Sequence, residues 1–527
     1  MRISTEQYFS TSSSDYQKNY SGVVAAQNQA TTGVRVQTAA DDPVAAAQLL
    51  LLQQQKDMLG QYTGNITSLQ NSLTNEESVL QSINTAMQTA QGLALQAGNM
   101  QLSNDDRKAI AAQVGAIEDQ VLGLLNSKDS NGNYMFSGTK TDTPPYTRNN
   151  DGTYSYQGDE TPLSLQVGSN LSITAGDTGK TLLESSTNAG RTQATVIPPT
   201  VNDGKVSISA GLVTSGTAYT KNFADGQPYK LTFASSTQYS VTDKDGNDVT
   251  SEITGNGTFD ATKEGASSVN LRGVKFDITL NLGSNVSTGA PSDALVAGRE
   301  FTLESKPDSF SVSRTASNAS TAQLTGGSVT DQAAYSSTFP NSGAVIKFTS
   351  GTDYQVFAQP YSANSKAIAS GTIAAGATSI TTAGVTFGIS GTPGAGDQFS
   401  VGATSNKNMN ALDTLGNLRK ALLTPADGDQ VAKNNLKDVL NTSVANLGNA
   451  TAQIDQVRGS IGARQNALDV QSQENTSLGL ANTSTMSSLA NVDMGQAAID
   501  LTLQQTMLQA SQLAFVKISQ LSLFSRM

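Results

Sequence analysis

Residues 31–50 read TTGVRVQTAADDPVAAAQLL, and this stretch decides how the front of the chain folds. Gly33 is typical of a helix end, and the branched residues around Arg35 favour a short extended segment. Asp42 suits an N-cap, because its carboxylate accepts a free N–H of the first helical turn, and Pro43 has no N–H to lose at the first helical position. The sequence therefore predicts a helix-start turn at Gly33, Arg35, Asp41, Asp42 and Pro43.

Asp41 and Asp42 could instead be an acid pair that does chemistry. The chain has no His and no Cys, which excludes imidazole bases, thiol nucleophiles and disulfides. The segment also offers no second acidic cluster that could complete a metal site. We therefore predict a structural role for this turn, with no catalytic residue, no metal and no cofactor.

Downstream of Pro43, apolar residues recur every three or four positions as far as Ala97, without an intervening Pro. A sustained seam of this kind is typical of a coiled coil. Its apolar members are Leu59, Tyr62, Ile66, Leu69, Leu73, Leu80, Ile83, Met87, Ala90, Ala94 and Ala97. Glu76 occupies one seam position, where it either sets the register of the packing or faces water.

Further helices are predicted at both ends of the chain. Ser103 and Asp106 have the spacing of a capping box, followed by an apolar stripe as far as Leu124. A second, less pure seam lies near the C-terminus, and a last helix is predicted from about Met494 to Leu523. The second seam consists of Leu447, Ala450, Ile454, Val457, Ile461, Arg464, Leu468, Gln471, Asn475 and Leu478.

The middle of the chain is rich in Gly, Ser and Thr and contains an internal repeat. Asn150-Asp151-Gly152 predicts a hairpin turn. LTFASSTQYSV at residues 231–241 recurs as IKFTSGTDYQV at residues 346–356, within four collinear blocks that predict a duplicated β module.

The predicted fold class is α+β, with long paired N- and C-terminal helices forming a coiled-coil rod and β-rich tandem domains inserted between them. The predicted divisions are an N-terminal assembly segment (1–42), N-terminal rod helices (43–140), a β-rich start of the middle region (141–205), β module copy 1 (206–305), β module copy 2 (325–404), C-terminal rod helices (405–490) and a C-terminal assembly helix (491–527).

The two ends of the chain carry apolar residues at helical spacing, which we predict to form an assembly interface. A broad apolar face at a chain end needs a partner. That partner is either the other end of the same chain or a neighbouring copy, and the thin N-terminal stripe favours the copy. The interface residues are Tyr16, Tyr20, Val23, Leu501, Leu508, Phe515, Ile518 and Leu521.

Composition excludes several classes of partner. A net charge of −11 argues against nucleic acid binding. The N-terminus lacks the apolar region of a secretory signal peptide, and no run of 18 apolar residues predicts membrane insertion. The acidic stretch 243–248 hints at a calcium loop, but its Gly is misplaced for an EF-hand and a β-turn is predicted.

The turn Gly33-x-Arg35, followed by Asp41-Asp42 and a long helix, resembles the flagellin superfamily. Flagellins usually continue with Ala-Ala-Gly, whereas Pro43 begins Pro-Val-Ala-Ala here, which is similar to proteins of that superfamily at the junction of hook and filament. Further agreement lies in Met1–Thr5, Asn126, Gly132–Thr139, Pro144–Tyr146, Gly396–Phe399, Gly462–Asn466, Val492-Asp493 and Gln520–Leu523.

The resemblance implies a structural component of the bacterial flagellum and not an enzyme. It implies a ring of identical subunits that acts as an adaptor, with the first hook-associated protein on one side and flagellin on the other. It also implies secretion through the flagellar type III apparatus to the extracellular flagellum, with an export chaperone bound to the C-terminal helix.

Three other functions are open at this point. A flagellin filament subunit would share the helices, but Pro43 and the MRIST start argue against it. A surface adhesin would use Tyr219, Tyr239, Tyr335 and Tyr354 to stack on sugars, although such residues more often pack between strands. A secreted enzyme would need an acid pair with a pocket, for which the sequence has no signature.

Overall fold

The computed structural model describes residues 5–99, 101–149, 152–259, 266–283, 290–340, 342–362, 364–374, 376–404 and 406–524. Its first three helices are α1 (Thr5–Thr32), α2 (Pro43–Ala97) and α3 (Asn104–Leu125). Helix α3 starts with the predicted capping box, in which the Ser103 side chain accepts from the Asp106 N–H and the Asp106 side chain accepts from the Ser103 N–H. Two of the motifs that carry the resemblance have side chains that the structure does not describe. They are Met1–Thr5, as a whole, and Gln520–Leu523, from Leu521 onward.

Two hairpins follow the N-terminal helices. Strands β1 (Tyr146–Arg148) and β2 (Tyr154–Tyr156) pair antiparallel, with Tyr146 opposite Tyr156. Of the predicted turn between them, Asn150 and Asp151 lie outside the described residues. Strands β3 (Ser164–Gly168) and β4 (Leu171–Thr174) form the second hairpin, and a single π-helical turn covers Lys180–Glu184.

A first β-sandwich is built from two sheets that enclose one core. One sheet has the strand order β5-β12-β8-β9, and the other has the order β10-β11-β6, with β7 also pairing with β11. The elements are β5 (Thr192–Val196), β6 (Val206–Ile208), β7 (Leu212–Val213), α4 (Gly216–Ala218), a π-helical turn (Tyr219–Phe223), α5 (Ala224–Gly226), β8 (Tyr229–Phe233), β9 (Tyr239–Thr242), a 3-10 turn (Thr250–Glu252), β10 (Ser267–Leu271), β11 (Val274–Leu280), α6 (Ala290–Val296) and β12 (Glu300–Ser305).

A second β-sandwich follows the first directly. Its sheets have the strand orders β13-β20-β15-β16-β17 and β14-β19-β18. The elements are β13 (Ser309–Arg314), β14 (Gln323–Val329), α7 (Gln332–Thr338), β15 (Ala344–Phe348), β16 (Asp353–Ala358), β17 (Ala369–Thr372), β18 (Ser379–Thr382), β19 (Val385–Ser390) and β20 (Gln398–Thr404).

The two sandwiches share one topology, as a duplication requires. Strands β5, β12, β8 and β9 occupy the same order as β13, β20, β15 and β16, and the second sheets also correspond. Even a turn repeats: the Gly273 carbonyl accepts the Thr214 N–H at 2.9 Å, and the Gly384 carbonyl accepts the Thr330 N–H at 2.9 Å. The modules are sequential, and each begins one strand earlier than the repeated sequence blocks indicate, at β5 and at β13.

Three helices complete the chain, namely α8 (Ala411–Leu423), α9 (Gln430–Ala490) and α10 (Met494–Phe524). Helix α8, which the sequence pattern did not single out, packs on α3. There the Arg419 Nε donates to Oε2 of the buried Glu118 at 2.7 Å, and the Tyr154 hydroxyl donates to the other carboxylate oxygen at 2.6 Å.

Residue contacts divide the chain into two compact units. A terminal unit comprises residues 1–74, 164–175 and 461–527, and a central unit comprises residues 75–163 and 176–460. Helices α2 and α9 contribute to both.

In the terminal unit, α2 and α9 pack through part of the predicted seam. Gln70 Nε2 donates to Asp469 Oδ1 across the helix pair at 2.9 Å. The buried seam residues are Ile66, Leu69 and Leu73 of α2 and Ile461, Leu468 and Asn475 of α9. Leu478 does not continue this seam, because 47% of it is exposed. The prediction for that residue was wrong.

In the central unit, the same two helices pack along Leu80, Ile83, Met87, Ala90, Ala94 and Ala97 of α2 and Leu447, Ala450, Ile454 and Val457 of α9, all of them buried. Polar pairs flank this seam. Asn84 Nδ2 donates to Asp455 Oδ1 at 2.7 Å, and Arg458 pairs with Glu77 at 2.8 Å.

Glu76 lies inside the packing and does not face water. It is only 2% exposed, and its Oε1 accepts the backbone N–H of Asp177 at 3.0 Å. A buried carboxylate is stable only with such donors. Glu76 therefore ties helix α2 to the loop after the second hairpin.

Candidate functional site

The candidate site lies in the terminal unit, where α1 ends beside the start of α10. Gly33 terminates α1 with a positive φ of 71°, and its N–H donates to the Gln29 carbonyl at 2.9 Å. Only Gly adopts this backbone region at low cost. Val34 then forms an antiparallel bridge with Asn491. The turn between α1 and α2 is thereby held against the turn between α9 and α10.

Arg35 is the central side chain of this joint. Its Nη1 contacts Asp42 Oδ2 at 3.0 Å, and its Nη2 donates to the Leu489 carbonyl at 3.0 Å. The Arg35 backbone N–H donates to the Ala490 carbonyl at 2.6 Å. One residue therefore links the start of α2 to the end of α9.

Asp42 and Pro43 begin α2 in N-cap geometry. Asp42 Oδ1 accepts the Ala45 N–H at 3.0 Å, and Pro43 is the first residue of the helix. The Ala45 N–H, followed by the Arg35 guanidinium, lowers the pKa of Asp42. A lowered pKa means that the carboxylate is the form that this turn stabilises.

Asp41 serves a separate turn. Its Oδ2 accepts the backbone N–H of Thr38 at 2.8 Å, the Thr38 hydroxyl at 3.1 Å and the N–H of Gln37 at 3.1 Å. Hydrogen bonds from Thr38 lower the pKa of Asp41 as well. Two neighbouring carboxylates with lowered pKa values do not share a proton, so the geometry is that of two caps.

One face of α10 packs on α1. The rings of Phe9 and Phe515 lie 5.2 Å apart, and those of Tyr16 and Phe515 lie 6.3 Å apart. Close helix approach is possible at Gly22, where a Cβ would lie 2.8 Å from the side-chain oxygen of Gln504. Of the predicted interface residues, Tyr16, Val23, Leu501, Leu508 and Phe515 are half-buried in this contact region.

The other predicted interface residues have different positions. Tyr20 is 55% exposed in the single subunit, and its role in an assembly interface stays a prediction. Ile518 and Leu521 lie on the last turns of α10, but their side chains lie outside the described part of the structure.

A second, exposed apolar face lies on the opposite side of α10. At 100° per residue, Ile499, Leu503 and Leu513 stand roughly 140° to 180° from the mean direction of Leu501, Leu508 and Phe515. Met507 and Val516 stand roughly 80° to 100° from that direction, on the two flanks of the exposed face. We call it the α10 outer face, and it consists of Ile499 (63% exposed), Leu503 (54%), Met507 (46%), Leu513 (67%) and Val516 (50%). A helix that is apolar on both sides is expected to be covered on both sides.

Sequence reasoning missed part of this site. The residues Ile499, Leu513 and Val516 were not among the predicted ones, although their hydrophobicity was visible in the sequence. The contact from Arg35 to residues 489–491 uses backbone carbonyls, which leave no signature in residue types. Asp493, within the Val492-Asp493 motif, accepts the Gly495 N–H at 2.8 Å and caps α10.

Other candidate chemical sites have structural explanations. Asp243 accepts the N–H groups of Asp245 and Asn247 at 3.0 and 2.9 Å, so the stretch that resembled a calcium loop is a turn. Within the described ranges, no group of three or more Asp or Glu side chains is placed to hold a metal ion. None of the described helices is long and apolar enough to cross a membrane.

The sandwich tyrosines considered for sugar stacking are engaged in packing. Tyr239 and Tyr354 are 3% and 5% exposed. The Tyr219 hydroxyl bonds to Ser305 Oγ at 2.6 Å, and the Tyr335 hydroxyl donates to Asp308 at 2.8 Å.

Comparisons with known proteins agree with this architecture. Residues 3–141 match the family of the bacterial flagellin N-terminal helical region. The chain is 37% identical over 195 residues to flagellar hook-associated protein 3 of Salmonella typhimurium, covering 36% of this chain and 58% of that protein. It is 35% identical to the Escherichia coli protein of the same name, with the same coverage.

The chain thus spans less than two thirds of the length of these curated relatives. Among solved structures, the flagellar hook associated protein-3 of Legionella pneumophila is similar, with 22% identity and a TM-score of 0.48, covering 83% of this chain and 98% of that one.

Proposed function

We propose that this protein is a member of the flagellin superfamily and a structural component of the flagellum that joins hook to filament. The observation that carries the proposal is the α10 outer face, whose five large apolar side chains are between 46% and 67% exposed. Soluble monomers rarely keep such a surface uncovered. Similarity to hook-associated protein 3 of two bacteria supports the same role.

In this proposal, identical copies form a ring in which the α10 outer face of one subunit is buried by its neighbours. Helix α1 covers the inner face of α10 within each subunit. The ring contacts the first hook-associated protein on the hook side and flagellin on the filament side. The joint at Arg35 supports this assembly, because it holds the terminal helices to α2 and α9.

We infer a structural and not a catalytic role. The carboxylates that most resembled an acid pair, Asp41 and Asp42, are engaged as caps. The proposal includes secretion through the flagellar export apparatus to the extracellular flagellum. It also includes an export chaperone that covers the C-terminal helix before assembly. The exposed apolar side chains of α10 support this part of the proposal.

The test is to delete the gene in the bacterium that carries it. We expect hooks without filaments, with flagellin released into the medium as monomer. Normal filaments on that strain would exclude the junction role and favour a minor filament subunit or a surface adhesin. Restoration by the wild-type gene on a plasmid controls for effects on neighbouring genes.

A further inference from the structure

Helix α9 carries a stripe of polar residues that docks the first sandwich within the central unit. We call Asn434, Asp438, Thr442 and Asn446 the α9 polar stripe. Their spacing of four residues places them on one side of the helix. Three of these four side chains make hydrogen bonds to the first sandwich or to the segment that leads into it.

Each member of the stripe meets the segment that leads into or forms the edge of the sandwich. Asn434 Nδ2 donates to Ser207 Oγ at 3.0 Å, and Asp438 Oδ2 accepts the Ala210 N–H at 3.0 Å. Further along, Asn446 Oδ1 accepts the Ala189 N–H at 2.7 Å.

Thr442 fills the remaining gap. A Cβ on Gly190 would lie 2.3 Å from the Thr442 methyl group, so helix and loop are in close contact there. The docking surface is therefore continuous from Asn434 to Asn446.

Asp438 is the one titratable member of the stripe. It lines two adjoining cavities together with Asp277 of β11, so two carboxylates face the same small polar space. The other charged groups around this space are Lys275 of β11, Lys437 of α9 and Lys306 after β12. Lys306 Nζ donates to the Gly190 carbonyl at 2.8 Å, which engages that ammonium with the loop.

We propose that Asp438 is a proton-controlled latch, which holds the first sandwich on α9 tightly when protonated and loosens it when ionised beside Asp277. A protonated Asp438 still accepts the Ala210 N–H and removes one of the two negative charges that line the shared cavity. Ionisation restores that charge beside Asp277 at a half-buried position, where like charges repel more strongly than in bulk water.

Burial, with a smaller contribution from the Asp277 charge, raises the pKa of Asp438 to about 6. In a released sandwich, the group would return to its ordinary value of 3.8. Linkage between these two values predicts that the docking equilibrium weakens about tenfold between pH 5 and pH 7.

Hydrogen exchange of the full-length chain, followed by mass spectrometry, measures this directly. The readout is the protection of peptides covering residues 206–213, corrected for the intrinsic pH dependence of exchange. We expect protection in the wild type to fall about tenfold from pH 5 to pH 7. Protection that does not change with pH would overturn the proposal.

Variants separate a latch from a passive contact. Asp438→Asn keeps an acceptor for the Ala210 N–H but cannot ionise, so its protection should be independent of pH. Asp277→Asn should keep the pH-dependent fall in protection but move its midpoint to lower pH. A merely structural role of Asp277 would not shift that midpoint. Asp245→Asn, an exposed turn carboxylate of the same sandwich, is the matched control and should behave as wild type.

Two outcomes would contradict the latch even where one variant is unstable. An Asp438→Asn protein with the wild-type pH profile would show that another group titrates. If that variant does not fold, an unchanged midpoint in Asp277→Asn would be equally decisive against the proposal.

Discussion

The assembly role of the α10 outer face can be tested with a single substitution, Leu513→Ser. Leu513 is 67% exposed, so its removal should not disturb the packing of α10 on α1. Complete burial of a Leu side chain is worth about 1.5–3 kcal/mol. If a neighbouring subunit buries the exposed two thirds, the substitution should cost about 1–2 kcal/mol per contact, or about 5- to 30-fold in association.

The assay has two parts. Analytical ultracentrifugation of the purified chain reports self-association, and plasmid complementation of the deletion strain reports filaments per cell and flagellin released into the medium. Leu513→Ser should associate more weakly and release more flagellin. Circular dichroism should show unchanged helix content, because the side chain contacts solvent in the free subunit.

Leu423→Ser provides the matched control. Leu423 ends helix α8 in the central unit and is 46% exposed, so the same chemical change is made at a comparable surface position. It should leave association and filament number unchanged. The reasoning is refuted if Leu513→Ser assembles as wild type, or if Leu423→Ser impairs assembly to the same degree.

Three further outcomes are expected from the fold. Leu73→Ala empties a fully buried seam position and should lower the free energy of chemical unfolding by about 2–5 kcal/mol. Arg299 holds the pKa of Asp203 well below its ordinary 3.8, so the stability from this pair is present above pH 3.8 and is lost as the pH falls below it. In Arg299→Gln, the free energy of unfolding should therefore fall less steeply between about pH 5 and about pH 2 than in the wild type. Gly33→Ala forces a side chain into positive φ and should cost about 1–2 kcal/mol in thermal unfolding, whereas Gly64→Ala, with open space around it in α2, should gain about 0.5–1 kcal/mol.

Local chemistry made much of the fold predictable. Gly33 and Pro43 mark helix boundaries because Gly adopts the positive φ of a helix end at low cost and Pro has no N–H to lose at the first helical position. In the structure, α1 ends before Gly33 and α2 starts at Pro43. The α+β fold class and the resemblance to the flagellin superfamily are confirmed. The duplicated block was visible because both copies keep the same buried aromatic residues, such as Phe233 and Phe348.

The features that were missed depend on contacts distant in sequence. The first strand of each sandwich reads TQATV at β5 and SFSVSR at β13, so the repeat could not be recognised there. Leu478 continued the spacing of the α9 seam, but it is exposed. Sequence spacing indicates which side of a helix a residue occupies, and it does not indicate how far the partner helix covers that side.

The topology explains how two sandwiches can be carried between one pair of helices. In the first, the last strand β12 pairs with the first strand β5, with Ser305 opposite Thr192; in the second, β20 pairs with β13, with Thr404 opposite Ser309. The chain therefore enters and leaves each sandwich at neighbouring points, which is the arrangement that tolerates domain insertion. Each sandwich also closes its own core, with separate sets of buried residues. A second copy consequently adds little strain to the elements that flank it. In agreement with this, the match to the flagellin N-terminal helical region covers residues 3–141 and ends before the first sandwich begins.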